Sequence, residues 1–560
     1  MATVEKELFV FPDPPEPDQV EWPGTPIGEA NVITKTKART LVSDKAIDDK
    51  PGKYEELLGS ATRYMESAEG KAATRVHDVM VHGIRVRAHT NSPHLIDFWL
   101  DNWYTPAEWK HITGKDVPAE PQIMVYAFGD IKEQAEAAYY SRQYNTVIFF
   151  NTSYYGQLKS WVLGSVGRVL ADEYGIHSLH GAAVELSGKK GVLYIAPTGT
   201  GKSTSSYGLM KFPNTRFHSD DWVYVRYVYQ TKDGKRVGPR RIEAPDGPVD
   251  GYRCFRWLDE NPTVDVPMTG LTPENDELHL RTSDLALDKG IEAYTYISEK
   301  VFYLRTNLVE NFPEAALDIL NSKKENVPDI TPEFLEEHRT LLDHVSKLVM
   351  EADHEPTRNY FQEIGAEKTR EVMGRLFAFD NARAMLDVTP VFGTERVFTN
   401  PLEPLFVTSV FLLKRDFDAD TVLERLPLNT FMERLLIGIT PTGTREIAYN
   451  NYRATDDTTE RAYIAQVEQE TNASGQPLYP VLVGKEDLPT TLLEEFELFR
   501  AMYQAAACYS LNTILQKDPT INDKMTAVRL TMDLIAKAVE ERPEQLDLTI
   551  GNYRSFISSS

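Results

Sequence analysis

The sequence predicts an α/β (mixed α+β) protein, and three observations predict it. Short apolar runs with period-two alternation recur, as in HDVMVHGIRVRAHT from His77 and PQIMVYAFGD from Pro121. Stretches with helical apolar spacing separate them, as over residues 154–174. A third β-like run, Val192–Ile195, enters a glycine-rich turn that passes directly into a helix-forming segment.

Taken in order, residues 1–75 read as a proline-rich acidic tail and linker. Six prolines fall between Pro12 and Pro26, interleaved with acids. Proline gives no N–H to a helix or a sheet, so this segment is expected to be extended, with helix only beyond residue 31. Folded structure is expected from about residue 76. Residues 76–175 read as a small α/β domain: a strand pair over 77–90, a helix at PHLIDFWLDNWY, strands at PQIMVYAFGD and YNTVIFFNTS, and a helix over 154–174. The aromatics Phe98, Trp99, Trp103, Tyr104 and Trp109 are read as packing residues. Residues 176–313 are dominated by β-like runs, AAVELSG, GVLYIAP, DWVYVRYVYQ and KVFYLRTN. Residues 314–376 are a charge-rich helical insertion. Residues 377–480 return to mixed structure, with VTSVFLLKRD as an internal strand. Residues 481–560 are read as a helical C-terminal segment with two helices, Thr490–Gln516 and Asp523–Glu541.

Composition narrows the function classes. Lys and Arg total 60 against 84 Asp and Glu, for a net charge of −24. Such a surface repels a phosphate backbone, so nucleic-acid binding is not expected. Two cysteines, Cys254 and Cys508, are too few for a four-Cys zinc site or a disulfide framework. No stretch approaches the apolar length of a membrane span, and the first residues lack the apolar run of a signal peptide. The expectation is a cytoplasmic protein with no membrane partner. The amphipathic C-terminal helices are compatible with a homo-oligomer.

Chemistry concentrates in GVLYIAPTGTGKSTSSYGLM, residues 191–210. The turn Ala196, Pro197, Thr198, Gly199, Thr200, Gly201 leads to Lys202, Ser203 and Thr204, a phosphate-loop arrangement with Ala in place of the first Gly. Gly199 and Gly201 let successive N–H groups converge on phosphate oxygens. Lys202 puts an ammonium near the β- and γ-phosphates, and the Ser203 hydroxyl suits Mg²⁺. Downstream, Asp220 and Asp221 stand at the start of another β-run. One acid at a strand terminus beside a phosphate loop suits the metal, and a second suits an attacking hydroxyl's proton. Upstream, His180 in SLHGAAVEL precedes a strand expected to hairpin into the loop strand through SGKKG.

The series LHGAAVEL, GVLYIAPTGTGKST and HSDDW resembles the catalytic core of the HPr kinase/phosphorylase and phosphoenolpyruvate carboxykinase superfamily. The resemblance covers residues 176–225 and implies a P-loop kinase core with His180, Lys202, Ser203, Asp220 and Asp221 at matching positions. It implies Asp220 as general base and Asp221, with Ser203, as the Mg²⁺ partner. NARAMLDVTP (381–390) looks like the arginine-bearing segment of the carboxykinases, which implies Arg383 on the transferring phosphate. ITPTGTREIAYNNYRA (439–454) is similar to their nucleotide loop, which implies Arg445 and Arg453 near the nucleotide, and makes residues 377–480 a second part of the nucleotide-binding core. The metal-binding lysine and the oxaloacetate contacts of the carboxykinases are not legible, nor is the C-terminal signature of HPr kinase.

The resulting expectation is an ATP-dependent kinase using Mg²⁺, or Mn²⁺ in its place. It would transfer the γ-phosphate to a hydroxyl of a protein serine or a small metabolite. Two alternatives stand beside it: a carboxykinase-like enzyme acting on a carboxylate substrate, and a non-catalytic nucleotide-binding regulatory protein.

Overall fold

The computed structural model describes residues 30–33, 42–44, 47–152, 155–196, 200–239, 242–244, 247–249, 268–270, 281–305, 316–317, 320, 331–377, 383–386, 392–439, 445–447 and 457–558. It is a mixed α/β architecture built on two large sheets.

The first sheet has six strands: β1 (Val42–Asp44), β2 (Arg75–Val81), β3 (Ile84–Thr90), β4 (Ile123–Phe128), β5 (Ala137–Ser141) and β6 (Thr146–Phe150), in the order β1-β5-β6-β4-β3-β2. Helix α1 (Lys53–Glu66) covers one face, where Leu57 and Ala61 meet Phe128, Ile148 and Phe150. Helices α2 (Pro93–Asn102) and α3 (Tyr155–Tyr174) cover the other. α2 begins where its sequence says it should: Pro93 supplies a fixed φ in the first turn, and the Ser92 hydroxyl accepts from Leu95 N–H at 3.3 Å. Trp99, Trp103, Tyr104 and Trp109 are all buried, as the packing reading expects. The boundary near residue 76 needs correction, because β1 and α1 belong to this sheet and its core. Leu57 and Ala61 are small in number within a polar, charged helix, and only their common face reveals them as core.

The second sheet has twelve strands, and its centre closes on itself. The strands that matter are β7 (Ile176–Leu179), β8 (Gly181–Leu186), β9 (Lys190–Ile195), β10 (Arg216–Ser219), β11 (Val223–Gln230), β12 (Glu292–Ile297) and β13 (Leu405–Lys414). β8 pairs with β9, β9 with β13, β13 with β12, β12 with β11, and β11 with β7. β7 and β8 are two halves of one bent strand, so this circuit is a closed ring. β10 and β11 are likewise halves of a bent strand that runs antiparallel to the first. Its interior is apolar and includes Leu179, Leu193, Val223, Val225 and Val410.

The β9 alternation shows why both faces are covered. Leu193 and Ile195 point to one core, and Val192 and Tyr194 to the other. The second core is closed by α4 (Lys202–Gly208), α5 (Arg339–Met350), α6 (Glu355–Ile364), α7 (Ala366–Phe377) and α8 (Lys524–Glu541). The helical character expected over 314–376 is present in α5, α6 and α7.

The C-terminal segment departs from the expected long helix over Thr490–Gln516. That helix ends at Ala505, and Ala507–Asn512 is strand β14, parallel to β13 inside the sheet. All six residues of β14 are buried. Its sequence, ACYSLN, lacks the β-branched enrichment of an obvious strand, and burial on both faces removes the polar alternation that would have marked it.

Candidate functional site

The two bent strands turn at the same level. Between the pairs Ala183↔Ser219 and Leu179↔Val223 the ladder is broken. The residues left out are His180–Ala182 on one strand, of which Gly181 and Ala182 keep their pairing to β9, and Asp220–Trp222 on the other. Released from a regular ladder, their side chains converge. Gly181 fits this corner because a Cβ there would lie 2.8 Å from the Tyr194 carbonyl oxygen.

Asp221 is the hub. His180 Nε2 lies 3.1 Å from its Oδ1, and Lys202 Nζ lies 3.6 Å from the same oxygen. Lys159, from the first turns of α3, places Nζ 2.6 Å from Oδ2. The Lys159 ammonium also meets Glu299 Oε1 at 2.9 Å, just beyond β12. Glu299 in turn accepts 2.8 Å from Asn102 Nδ2, at the end of α2. One polar chain therefore joins both sheets. The Lys159 side chain is 2% exposed, so its two carboxylate partners are what make its burial tolerable.

The proton affinities of the neighbouring carboxyls are shifted in opposite directions. Burial alone would raise Asp221, but Lys159, the His180 hydrogen bond and Lys202 outweigh it and hold Asp221 well below the usual carboxylate range. Asp220 is pushed well above that range, first by burial and then by the negative charge of Asp221. Its Oδ2 is buried with no hydrogen-bond partner among the described residues. A cavity of about 30 Å³, lined by Ser219, Asp220, Ser298, Glu299 and Lys300, lies beside it. Burial, with the Lys202 charge, lowers His180 to about 4, so its imidazole is neutral at pH 7. With Asp221 ionised, His180 Nε2–H is the donor in their hydrogen bond. Burial lowers Lys202 and raises Glu299.

The described residues of 196–204 flank this corner. Ala196 ends the β9 run and is buried, and Thr200 is buried. Gly201 has φ +100°, which glycine adopts without strain, and Lys202 opens α4 directly after it. Thr204 is half-buried in α4, and the Ser203 backbone lies in the same helix. Pro197, Thr198, Gly199 and Arg453 lie outside the described residues, as does the Ser203 side chain. Arg383 lies on the middle strand of a separate three-stranded sheet, opposite Ile33 and Arg305. Arg445 lies on a small hairpin, opposite Ile439.

The sequence brings His180, Lys202, Asp220 and Asp221 into view, and the structure puts those four together. It adds Lys159, Glu299 and Asn102, which sequence reasoning missed. Lys159 carried one signal: a lysine among the buried residues of a helix whose apolar face is otherwise nearly complete. Among the described residues, no three His, Cys, Asp or Glu are grouped to hold a metal ion. No helix among them is long and apolar enough to cross a membrane. No family model matches the chain, and no curated protein matches it.

Proposed function

We propose that the chain is an ATP-dependent kinase with a P-loop core of the HPr kinase/phosphoenolpyruvate carboxykinase type, phosphorylating a hydroxyl acceptor. The observation that carries this reading is the division between adjacent carboxyls: Asp221 is held ionised by two lysines and a histidine, while Asp220 is buried, unpartnered at Oδ2 and raised in proton affinity. A carboxylate of raised proton affinity is the better base for a hydroxyl.

In this reading Asp220 takes the acceptor's hydroxyl proton as that oxygen bonds to the γ-phosphorus. The bond to the bridging oxygen breaks, and ADP leaves with its electron pair. Lys202 stabilises charge on the transferring group. Lys159 keeps Asp221 ionised and placed. The donor set fits a magnesium ion: Asp221 is an ionised carboxylate, and Mg²⁺ takes oxygen ligands and needs only one or two from the protein beside phosphate oxygens and water. Asp221, with the Ser203 hydroxyl, would hold it, and bound metal would neutralise phosphate charge.

A second reading is favoured by Lys159. A lysine against Asp221 and His180 is the feature of the carboxykinases that the sequence leaves illegible. Formation of phosphoenolpyruvate from oxaloacetate with Mn²⁺ and nucleotide would select it.

The test of the kinase reading uses the full chain with γ-labelled ATP and a mixture of cell metabolites and proteins. Label is expected to pass to an acceptor, and to stop doing so in Asp220→Asn and Lys202→Ala. Transfer that survives both substitutions overturns the reading.

A further inference from the structure

Arg415 follows directly after β13 and lies against the exit of the phosphate loop. A Cβ built on Gly201 would be 3.5 Å from Arg415 Nη2 and 3.6 Å from Thr513 Cγ2. Arg415 Nε donates to Thr513 Oγ1 at 3.2 Å. The Thr513 hydroxyl is itself 3.1 Å from the Thr200 carbonyl oxygen and 3.3 Å from that of Lys414. The Thr513 N–H also donates to Lys414 O at 3.0 Å. One threonine therefore ties together the loop exit and the ends of β13 and β14, and it orients the guanidinium.

Among the described residues the remaining donors of that guanidinium are unspent. Among the described residues Arg415 makes no ion pair, and its Nη groups make no hydrogen bond. The acid beside it is engaged elsewhere: the Asp416 carboxylate lies 3.9 Å from Lys414 Nζ. The Asp416 N–H donates to Asn512 Oδ1. On a chain with net charge −24 an arginine held half-buried beside a glycine loop, without a carboxylate, is an anion donor set in waiting.

We propose that Arg415 is a polyphosphate-binding residue: its Nη groups donate to phosphate oxygens of the nucleotide taken by residues 196–204, with Thr513 as its positioning residue. This rests on the nucleotide reading above and adds a ligand to it. A fixed, planar fork suits two oxygens at once, where Lys202 supplies a single mobile charge. It also predicts preference for di- and triphosphates over a nucleoside.

Calorimetric titration of the full chain with Mg-ATP and, separately, with magnesium tripolyphosphate tests this. Arg415→Ala is expected to weaken both about 10- to 100-fold, the loss of one or two charge-assisted hydrogen bonds. Arg415→Lys is expected to recover only part of the loss, and Thr513→Val to lose a few-fold. Arg415→Gln, compared with wild type by thermal melting, keeps the comparison valid if the alanine variant folds poorly. If wild type binds Mg-ATP, Lys202→Ala abolishes binding, and Arg415→Ala and Arg415→Gln bind like wild type, the Arg415 assignment is overturned and the nucleotide reading stands. If tripolyphosphate binds and depends on Arg415 while ATP does not bind, the assignment stands and the nucleotide reading falls. If neither ligand binds, both fall.

Discussion

Asp78 and Asp221 are each gripped by more than one cation, and they differ in what is left over. Asp78, on β2, meets Arg87 Nε at 2.7 Å and Arg85 Nε at 2.7 Å. Its cluster lies within an unbroken antiparallel ladder, with Asp78 directly opposite Arg87. Asp221 meets Lys159, His180 and Lys202 at a corner where the ladder is broken. In the regular ladder both carboxylate oxygens face a guanidinium, and the cluster ties β2 to β3 and, through Arg85, to the carbonyls of Pro118 and Ala119. At the corner, Asp220 comes along beside Asp221 with an oxygen that no described residue satisfies. The cations differ as well. The ladder uses permanently charged arginines, whereas the corner uses lysines and a histidine whose protonation responds to surroundings. A charge cluster at a break in pairing can leave reactive capacity that one inside a ladder cannot.

The sharpest break of this comparison is chemical. Asp220→Asn should reduce phosphoryl transfer by about 10²- to 10⁴-fold, the range of a lost general base, with nucleotide affinity nearly unchanged. Asp78→Asn should leave transfer at the wild-type rate. Equal losses in steady-state assays of the two variants would erase the distinction.

Stability gives the next contrast. Lys159→Met strands Asp221 and Glu299 in a buried setting and should cost about 3–5 kcal/mol in denaturant unfolding. Arg85→Met, on the partly exposed ladder cluster, should cost about 1 kcal/mol. A Lys159 variant as stable as wild type would mean that the corner is not closed by that ammonium.

The pH dependence has opposite signs for the two carboxyls. Asp220 binds its proton more tightly when folded, so its contribution is present at low pH and is lost as pH rises above the ordinary carboxylate value. Asp220→Asn should therefore melt above wild type at pH 8, with the gap closing towards pH 4. Asp78 is the reverse. Burial would raise it, but its hydrogen bonds to Arg87 and Arg85 win and lower it. Its contribution is present above the unfolded carboxylate value and fades as pH falls through the folded one. Removing Asp78 should thus cost most near neutrality, about 1 kcal/mol, and least in acid. Thermal melts of the Asp220 variant from about pH 4 to 8, and of the Asp78 variant from neutrality down to about pH 2, check the two signs.

Much of the architecture can be read along the chain because it rests on local signals. Period-two alternation places β2 and β3, short apolar runs place β4, β6, β9 and β13, and the spacing of 154–174 places α3. β14 is hidden because a strand buried on both faces loses that alternation. α1 reads as linker because its apolar positions are few, and they matter only once Phe128 and Phe150 lie over them.

By itself, the sequence determined the short-range chemistry: a glycine-rich turn between β9 and Lys202, adjacent acids before β11, and a histidine before Gly181. Each depends on residues close in the chain, where backbone geometry alone sets the arrangement. Only the tertiary structure decided that His180 and Asp221 share a corner, and that Lys159, Glu299 and Asn102 reach it from helices and strands far away in sequence. It also decided that Arg415 stands beside Gly201. Burial, pairing and the resulting split in proton affinity between Asp220 and Asp221 are properties of what surrounds a side chain, and those surroundings come into being only when distant segments pack together.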